Sequence, residues 1–215
     1  MPSSEEALKQ TIHSYDRTAA SYARRTYNSQ MSQQREWFTE LLPNPVARIL
    51  DLGCGPGWDT LFYRSRAFNV TSVDLSIGML EEARQRVPEG QFVQADMRKL
   101  PLKSFRFDGI WASASFLHLP KESAGLALAE MERVLVEGGI LFMAVKRGEA
   151  ESWREPEDAE VRFYYAYYLS DELAASVIRA GFEILSLSEN FSKLQFHPDG
   201  SPVCWVNLFA RKLTR

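Results

Sequence analysis

The residues best suited to chemistry stand together in segment 49–59, which reads ILDLGCGPGWD. An apolar run ends in Asp51, and three glycines follow at alternate positions, Gly53, Gly55 and Gly57. Glycine allows a turn with positive φ and lets a ligand lie directly against the backbone. A buried strand before this loop and a helix after it would form a nucleotide site at the carboxyl end of the strand. The pattern therefore predicts a cofactor site, with a plain tight turn as the alternative.

The spacing of the glycines distinguishes this site from a dinucleotide site. Dinucleotide-binding proteins use G-x-G-x-x-G, whereas this chain has G-x-G-x-G with an acid two residues before the first glycine. The segment resembles motif I of the class I S-adenosylmethionine-dependent methyltransferases, whose cofactor carries an ammonium group and no phosphate. By this resemblance, Asp51 and the loop, including Cys54 and Pro56, hold the methionine end of S-adenosyl-L-methionine.

Acids at the ends of the next two predicted strands extend the resemblance. Asp74 follows an apolar run in SVDLSIGML, where an acid can accept hydrogen bonds from both ribose hydroxyls. This segment resembles the second motif of the family, which puts Asp74 at the ribose and Leu75 at the adenine. The segment QADMRKLP resembles the place where Asp96 and Met97 meet the adenine edge. The structural alternatives are a helix cap for Asp74 and a solvated turn for Asp96.

The N-terminal segment IHSYDRTAASYARR resembles the Y-D-x-x-A-x-x-Y lead of small-molecule methyltransferases. The resemblance implies that Tyr15 and Tyr22 close over the cofactor or the substrate, and the alternative is that they only dock the N-terminal helices. The complete predicted cofactor-binding set is Asp51, Gly53, Cys54, Gly55, Pro56, Gly57, Asp74, Leu75, Met79, Asp96, Met97, Ala112, Tyr15 and Tyr22.

The loop after the fourth predicted strand, WASASFLHLPKE, is where the methyl group should point in this family. It lacks the acid or amide followed by two prolines and an aromatic that nucleic-acid amino methyltransferases carry there, and the Pro-Cys nucleophile of cytosine C5 enzymes is also missing. Both departures favour the small-molecule branch. His118 is the candidate catalytic base because its unperturbed pKa lies near 6.5. Its alternative role is packing at a helix start.

Three features outside these motifs have open interpretations. The aromatic run 163–168 predicts either an acceptor pocket or a packed surface or dimer contact. Trp153 and Arg154 are interpreted as polar loop residues. Lys146 and Arg147 are interpreted as a solvated strand end, with contact to an acidic acceptor as the alternative. Asp108, in FDGIWAS, is interpreted as structural.

Bulk properties indicate a globular enzyme. The net charge of −3 over 215 residues gives no general attraction to nucleic acid. No apolar run reaches the roughly 20 residues of a membrane helix, and the polar N-terminus does not resemble a signal peptide. Two cysteines give no disulfide framework, and His13, His118 and His197 show no metal-ligand spacing with them. We therefore predict a cytoplasmic monomer or homodimer without a metal, acting on a small-molecule methyl acceptor, with neither nucleic acid nor membrane as partner.

Strands alternating with helices predict an α/β, Rossmann-like, doubly wound sheet. Seven mostly parallel strands are expected, with the last strand antiparallel because no helix separates the final two. We predict a helix over 5–25 that is broken near Asp16, further helices over 29–42, 121–136 and 172–180, and the last three strands over 140–145, 183–187 and 203–210. One methyltransferase domain, 1–215, would comprise a helical lid (1–45), a cofactor-binding core (46–147) and a substrate-side insertion with the C-terminal strands (148–215).

The predicted function is methyl transfer from S-adenosyl-L-methionine to an oxygen or nitrogen of a small molecule. The alternatives are the same reaction on a protein or RNA, and a cofactor-binding module without catalysis. A nicotinamide dehydrogenase would need the glycine spacing that the chain lacks.

Overall fold

The computed structural model describes residues 3–26, 31–155, 161–196 and 200–214. Within these ranges a seven-stranded sheet has the order β3-β2-β1-β4-β5-β9-β8, and a separate hairpin pairs β6 with β7. The helices are α1 (Ser4–Arg25), α2 (Ser32–Leu41), α3 (Trp58–Arg64), α4 (Ile77–Arg86), α5 (Ala124–Val134) and α6 (Ser170–Arg179). The strands are β1 (Arg48–Leu52), β2 (Asn69–Asp74), β3 (Gln91–Gln94), β4 (Phe107–Ser113), β5 (Leu135–Lys146), β6 (Glu151–Arg154), β7 (Phe163–Ala166), β8 (Phe182–Phe196) and β9 (Pro202–Lys212).

The directions of the strands confirm the predicted fold class. Strands β1 to β5 pair in parallel, whereas β9 runs antiparallel to both of its neighbours, β5 and β8. The strand order reverses beside β1, so the ends of β1 and β4 lie next to each other at the carboxyl edge of the sheet. Open α/β sheets bind ligands at such a position.

Both faces of the sheet are covered, which explains the nearly continuous apolar composition of the strands. Neighbouring residues of β1 point to opposite faces, Leu50 into the core under α5 and α6, and Ile49 into the core under α2. Helix α2 approaches the sheet so closely that a Cβ at Gly109 would lie 2.7 Å from Phe38 and Leu42. Helix α2, which is one of the two helices of the predicted lid, therefore packs on the sheet through the buried side chain of Phe38.

Helix α1 is continuous where the sequence predicted a break at Asp16. The Asp16 carboxylate instead accepts hydrogen bonds from the Ser76 hydroxyl at 2.6 Å and from the Gly78 amide at 3.0 Å. Asp16 thus helps to cap the N-terminus of α4 from another helix. Ser76 caps the same helix, as predicted, by accepting from the Met79 amide at 3.1 Å.

The boundary between α5 and β5 was predicted at the wrong place. Helix α5 ends at Val134, and β5 already begins at Leu135, because Leu135 pairs with Phe107 of β4. The next pair joins Gly109 to Ile140, so residues 136–139 form a bulge in β5. Pairing with β4 therefore ends the helix before the two glycines.

The C-terminal part holds longer strands than the sequence predicted. Strand β8 covers Phe182–Phe196 and β9 covers Pro202–Lys212. Trp153 and Arg154 lie in β6, which pairs with β7, so their interpretation as loop residues was wrong. Asp108 is structural, as predicted, because it accepts from the Arg48 backbone amide at 2.8 Å and from its guanidinium at 2.8 and 2.9 Å.

Candidate active site

The glycine loop is held in place by backbone contacts with β2 and by one side chain. The amides of Gly53 and Cys54 donate to the Val73 carbonyl at 2.7 and 3.0 Å. Gly53 has a φ of +77°, and a Cβ there would lie 2.1 Å from the Cβ of Ser115. Ser115 is fixed by its own hydrogen bond to the Leu52 carbonyl at 2.6 Å. Only glycine satisfies both the backbone angle and the close approach at position 53.

The second glycine presents bare backbone to open space. A Cβ at Gly55, where φ is +52°, would meet no atom within 4 Å. The Gly55 amide donates to Asp74 Oδ2 at 2.8 Å, and the Ser76 amide donates to Asp74 Oδ1 at 2.9 Å. Each carboxylate oxygen keeps a lone pair that a ligand hydroxyl can use. Burial raises the pKa of Asp74, and the backbone hydrogen bonds oppose that rise.

Asp51 lies beneath the loop, where only 2% of it is exposed. The Thr60 hydroxyl donates to Asp51 Oδ2 at 2.6 Å and also contacts the Ser72 hydroxyl at 2.8 Å. Burial, followed by the nearby Asp59, raises the pKa of Asp51 well above its usual range. The carboxyl group therefore joins β1 to α3, the helix that follows the loop, and through Thr60 to Ser72 of β2.

Asp96 is engaged in an ion pair within its own turn. Arg98 binds both oxygens of Asp96, with distances down to 2.6 Å, and also contacts Glu5 of α1 at 2.9 Å. Asp96 is therefore more than a solvated turn acid, because it holds Arg98, which reaches Glu5 of the N-terminal helix. Met97 follows it, and both residues reach the cavity described below.

Tyr15 and His118 form a hydrogen-bonded pair in a buried, aromatic setting. The Tyr15 hydroxyl lies 2.7 Å from His118 Nε2, and His118 Nδ1 lies 2.8 Å from the carbonyl oxygen of Tyr164. A carbonyl can only accept, so Nδ1 carries the ring proton and Nε2 accepts from Tyr15. Burial lowers the pKa of His118 to about 4, with a smaller effect of Lys146, so the imidazole is neutral near pH 7. Burial also raises the pKa of Tyr15.

Helix α1 is fastened to the hairpin by polar contacts. Thr11 and Ser14 are both fully buried. The Tyr164 amide donates to the Thr11 hydroxyl at 3.0 Å, and the Ser14 hydroxyl donates to the Arg162 carbonyl at 2.7 Å. The Tyr15 ring packs against Tyr22, with centroids 5.5 Å apart. Helix α1 and the hairpin therefore form one cover over the carboxyl edge.

The cover and the sheet edge enclose a cavity of about 820 Å³, within the range of about 300–1,000 Å³ that small-molecule sites occupy. Of the predicted cofactor set, the wall contains Gly53, Cys54, Gly55, Pro56, Asp74, Leu75, Met79, Asp96, Met97, Tyr15 and Tyr22, together with His118. Asp51, Gly57 and Ala112 do not line the cavity. These three residues belong to the framework of the loop and the sheet and do not contact the cavity.

Successive side chains at the start of the aromatic run 163–168 face opposite sides of β7. Phe163 and Tyr165 line the cavity, whereas Tyr164, between them, packs edge-on against Trp153 with centroids 5.3 Å apart. Successive side chains of a strand point to opposite sides. The run is thus both pocket wall and packing surface.

Two further interpretations are settled at the ends of the central strands. Lys146 is not a solvated strand end, since it is 8% exposed and lines the cavity. Its neighbour Arg147 is exposed and pairs with Glu189 at 2.9 Å. Cys54 is a buried small side chain whose pKa is raised well above the usual range by burial, so no thiolate is available there.

Sequence reasoning missed several wall residues, namely Met31, Gln34, Trp58, Asn190, Trp205 and Asn207. They come from α2, α3, β8 and β9, and no motif identifies them. Lys146 and Ala144 both line the wall, since residues two apart in a strand share a face. His197 lies outside the described residues. Among the described residues no cluster of side chains could hold a metal ion, and no helix is long and apolar enough to cross a bilayer.

A Rossmann-like sheet with a glycine loop, an acid after β2 and an enclosed cavity defines a nucleotide-cofactor enzyme fold. Comparison with known proteins identifies the family. Residues 49–139 match a family described as "Methyltransferase domain". The malonyl-[acyl-carrier protein] O-methyltransferase of Pseudescherichia vulneris is 30% identical over 170 residues, which cover 75% of this chain and 67% of that protein. The chain belongs to the S-adenosylmethionine-dependent methyltransferases, which confirms the predicted enzyme class and the predicted cofactor, S-adenosyl-L-methionine.

Two further relatives are named for two different acceptors. The malonyl-[acyl-carrier protein] O-methyltransferase of Enterobacter lignolyticus is 31% identical over 151 residues, covering 68% of this chain and 59% of that protein. The demethylmenaquinone methyltransferase of Renibacterium salmoninarum is 30% identical, covering 70% of this chain and 61% of that protein. The chain thus spans less than two thirds of the length of these two relatives.

A solved structure reproduces the complete fold. The 1,6-didemethyltoxoflavin-N1-methyltransferase of Burkholderia thailandensis, with bound 1,6-didemethyltoxoflavin and S-adenosylhomocysteine, superimposes with a TM-score of 0.78. The match covers 100% of this chain and 92% of that chain at 19% identity. At this identity the likeness shows a shared fold.

Proposed function

We propose that the chain transfers the methyl group of S-adenosyl-L-methionine to an oxygen or a nitrogen of a small-molecule acceptor. One observation carries this proposal: a single cavity extends from the glycine loop and Asp74 to the Tyr15–His118 pair. Direct transfer requires that donor and acceptor lie in contact and in line, and a shared, covered cavity provides this arrangement.

The residues at the loop end suit the cofactor. Gly55 leaves open space against its backbone, and Asp74 has lone pairs left for two ribose hydroxyls. The carboxylates of Asp59, Asp74 and Asp96 line this end. Arg35 and Arg98 pair with Asp59 and Asp96, so the Asp74 carboxylate is the one that favours a cationic ligand. When bound, S-adenosyl-L-methionine supplies an electrophilic methyl group on a positively charged sulfur.

The Tyr15–His118 pair can take a proton from the acceptor. The lone pair of His118 Nε2 accepts a hydrogen bond from the Tyr15 hydroxyl. The Tyr15 oxygen can then accept a proton from an acceptor hydroxyl or amine while its own proton passes to Nε2. A base is needed only for an acceptor that arrives protonated. The low pKa of His118 keeps Nε2 unprotonated at neutral pH.

The names of the relatives favour a second candidate, an acceptor attached to a carrier protein. Two of the relatives are malonyl-[acyl-carrier protein] O-methyltransferases. A free acceptor and a carrier-linked acceptor would use the same cavity and differ in what lies outside it. Methylation of a protein or RNA, and cofactor binding without catalysis, are the further alternatives.

The test has two stages. Calorimetric titration with S-adenosyl-L-methionine, S-adenosylhomocysteine and NAD should give micromolar binding of the first two and none of NAD. Methyl-labelled cofactor is then incubated with the protein and separated small-molecule, protein and RNA fractions of a bacterial extract. Label in the small-molecule fraction supports the proposal. Label confined to protein or RNA, or cofactor binding without any transfer, would contradict it.

A further inference from the structure

The cavity has a second end with the opposite charge, where β5 meets the hairpin. Lys146 is the last residue of β5 and is 8% exposed. Its Nζ lies 4.0 Å from the ring centroid of Tyr165 and 5.8 Å from that of Trp205. The ammonium group is therefore held between aromatic faces inside the cavity wall, which stabilises a cation only in part.

Lys146 has no anionic partner in the described part of the chain. No described carboxylate lies within 4 Å of its Nζ, although fully buried lysines nearly always have a partner. The neighbouring charge is a second cation, Arg154, which also lines the cavity. Burial and then Arg154 lower the pKa of Lys146 to about 8.

The carboxylates on the cavity wall lie elsewhere. Asp59, Asp74 and Asp96 follow the glycine loop, β2 and β3, at the cofactor end, and Glu155 is exposed at the rim beside Arg154. These carboxylates mark the acidic, cofactor end, where Arg35 pairs with Asp59 and Arg98 with Asp96, and Asp74 keeps its charge free for a cationic cofactor. Lys146 and Arg154 mark a basic end enclosed by aromatic side chains.

We propose that the basic end binds a singly charged anionic group of the methyl acceptor, such as a carboxylate, with Lys146 as the pairing cation. This inference rests on the proposed function and adds the chemical class of its acceptor. An anion placed there supplies the counter-charge that Lys146 lacks among the described residues, and it also faces the Arg154 cation. The rings of Tyr165 and Trp205 would contact the apolar body of the same acceptor.

The experiment measures the preference of the protein for an anion over a neutral molecule of the same shape. Carboxylates and their amides are titrated in pairs (benzoate with benzamide, phenylacetate with phenylacetamide, hexanoate with hexanamide) by ligand-observed NMR. The protein is saturated with S-adenosylhomocysteine throughout. We expect at least one carboxylate to bind about tenfold more tightly than its amide.

Variants assign the preference to the side chain. Lys146→Met should abolish the preference, and Lys146→Arg should keep it because the charge is retained. Lys103→Met is the matched control, since Lys103 is exposed and does not line the cavity, and it should behave as the unaltered protein. S-adenosylhomocysteine affinity, measured for each variant, shows that the fold is intact.

The pH dependence provides a separate readout. Carboxylate binding should weaken as pH rises through the pKa of Lys146, which anion binding will move upward from about 8. The other titratable groups that face Lys146 remain constant between pH 7 and 9. His118 is already neutral there, burial raises the pKa values of Tyr15 and Tyr165, and Arg154 is the other cation beside Lys146.

The outcomes separate this inference from the proposed function. If no carboxylate is preferred over its amide, or if Lys146→Met keeps the preference, the anionic subsite is wrong while the cofactor assignment stands. If S-adenosylhomocysteine itself does not bind, the proposed function is wrong.

Discussion

The two ends of the cavity are assembled in different ways. At the cofactor end, short strand–loop–helix segments supply backbone amides and single acids, and the Asp74 carboxylate is fixed by amides no more than 19 residues away. The other end, which we call the acceptor end, holds the Tyr15–His118 pair and Lys146. Its side chains come from distant segments, and Tyr15 is 103 residues from His118. Local geometry therefore determines the cofactor end, whereas packing of the cover determines the acceptor end.

This difference has an energetic side. The cofactor end tolerates little change because glycine loop, Ser115 and β2 are in direct contact. Burial shifts pKa values at both ends: it raises that of Asp74 at the cofactor end and lowers those of His118 and Lys146 at the acceptor end. Such shifts mark functional sites more often than structural ones.

The largest effect is expected at the most crowded point of the cofactor end. Gly53→Ala places a Cβ 2.1 Å from Ser115 at a φ of +77°. We expect a loss of about 2–5 kcal/mol of stability, from overpacking and from the left-handed backbone. Urea unfolding measures it. Gly125→Ala is the control because Gly125 lies in α5 with open space around it. An equal loss in both variants would contradict the proposed rigidity of the loop.

The next effect tests the acid of the cofactor end. Asp74→Ala removes the carboxylate that two backbone amides orient. The affinity for S-adenosylhomocysteine should fall by about 1–3 kcal/mol, the range for losing hydrogen bonds to a charged group. Calorimetry measures the change, and Asp171→Ala, in the first turn of α6, is the control. Unchanged affinity would remove Asp74 from the cofactor site.

The acceptor end should give a pH-dependent contribution to stability. His118 has a folded pKa of about 4, below the 6.5 of the unfolded chain, so the unfolded state binds more protons between these values. Its contribution is complete above pH 6.5 and is lost as pH falls towards 4. We expect a loss of about 2 kcal/mol between pH 7 and pH 5.

Denaturant unfolding of His118→Gln beside the unaltered protein isolates this term, since Asp51 and Asp74 titrate in both. The exposed His13→Gln variant should keep the full pH dependence. If the free energy of unfolding of His118→Gln and of the unaltered protein changes with pH by the same slope, the imidazole is not held neutral by the cover.

A second variant tests the role of His118 in catalysis. Turnover of His118→Ala, once an acceptor is identified, should fall while affinity for S-adenosylhomocysteine stays constant.

The smallest effect concerns the link between the two ends. Ser76 caps α4 and donates to Asp16 of α1, so it joins the loop region to the cover. Ser76→Ala should cost about 1 kcal/mol, as for loss of an N-cap. Ser152→Ala, at an exposed position of β6, should cost almost nothing. Equal thermal unfolding midpoints for the two variants would mean that α1 docks without this contact.

Local sequence was sufficient wherever the chain's own neighbours decide the structure. The glycine loop, the order of strands and helices, the cap at Ser76 and the reversed last strand all follow from nearby residue types. Predictions were wrong where contacts between residues far apart in the chain decided the secondary structure. Leu135 belongs to a strand because it pairs with Phe107 of β4. Asp16 remains within α1, and its carboxylate accepts a hydrogen bond from the N-terminus of α4. The division of the chain into lid, core and insertion remains a prediction.

The sequence by itself determined that this protein has a Rossmann-like sheet, a glycine loop and acids at the ends of β2 and β3. These features depend on backbone angles and side-chain periods that neighbouring residues set. Only the tertiary structure decided that Asp51 lies under the loop, that Tyr15 meets His118, and that Lys146 faces the cavity. Burial and the approach of distant side chains produce these positions and the pKa shifts of His118 and Lys146, and neither can be obtained from the order of residues along the chain.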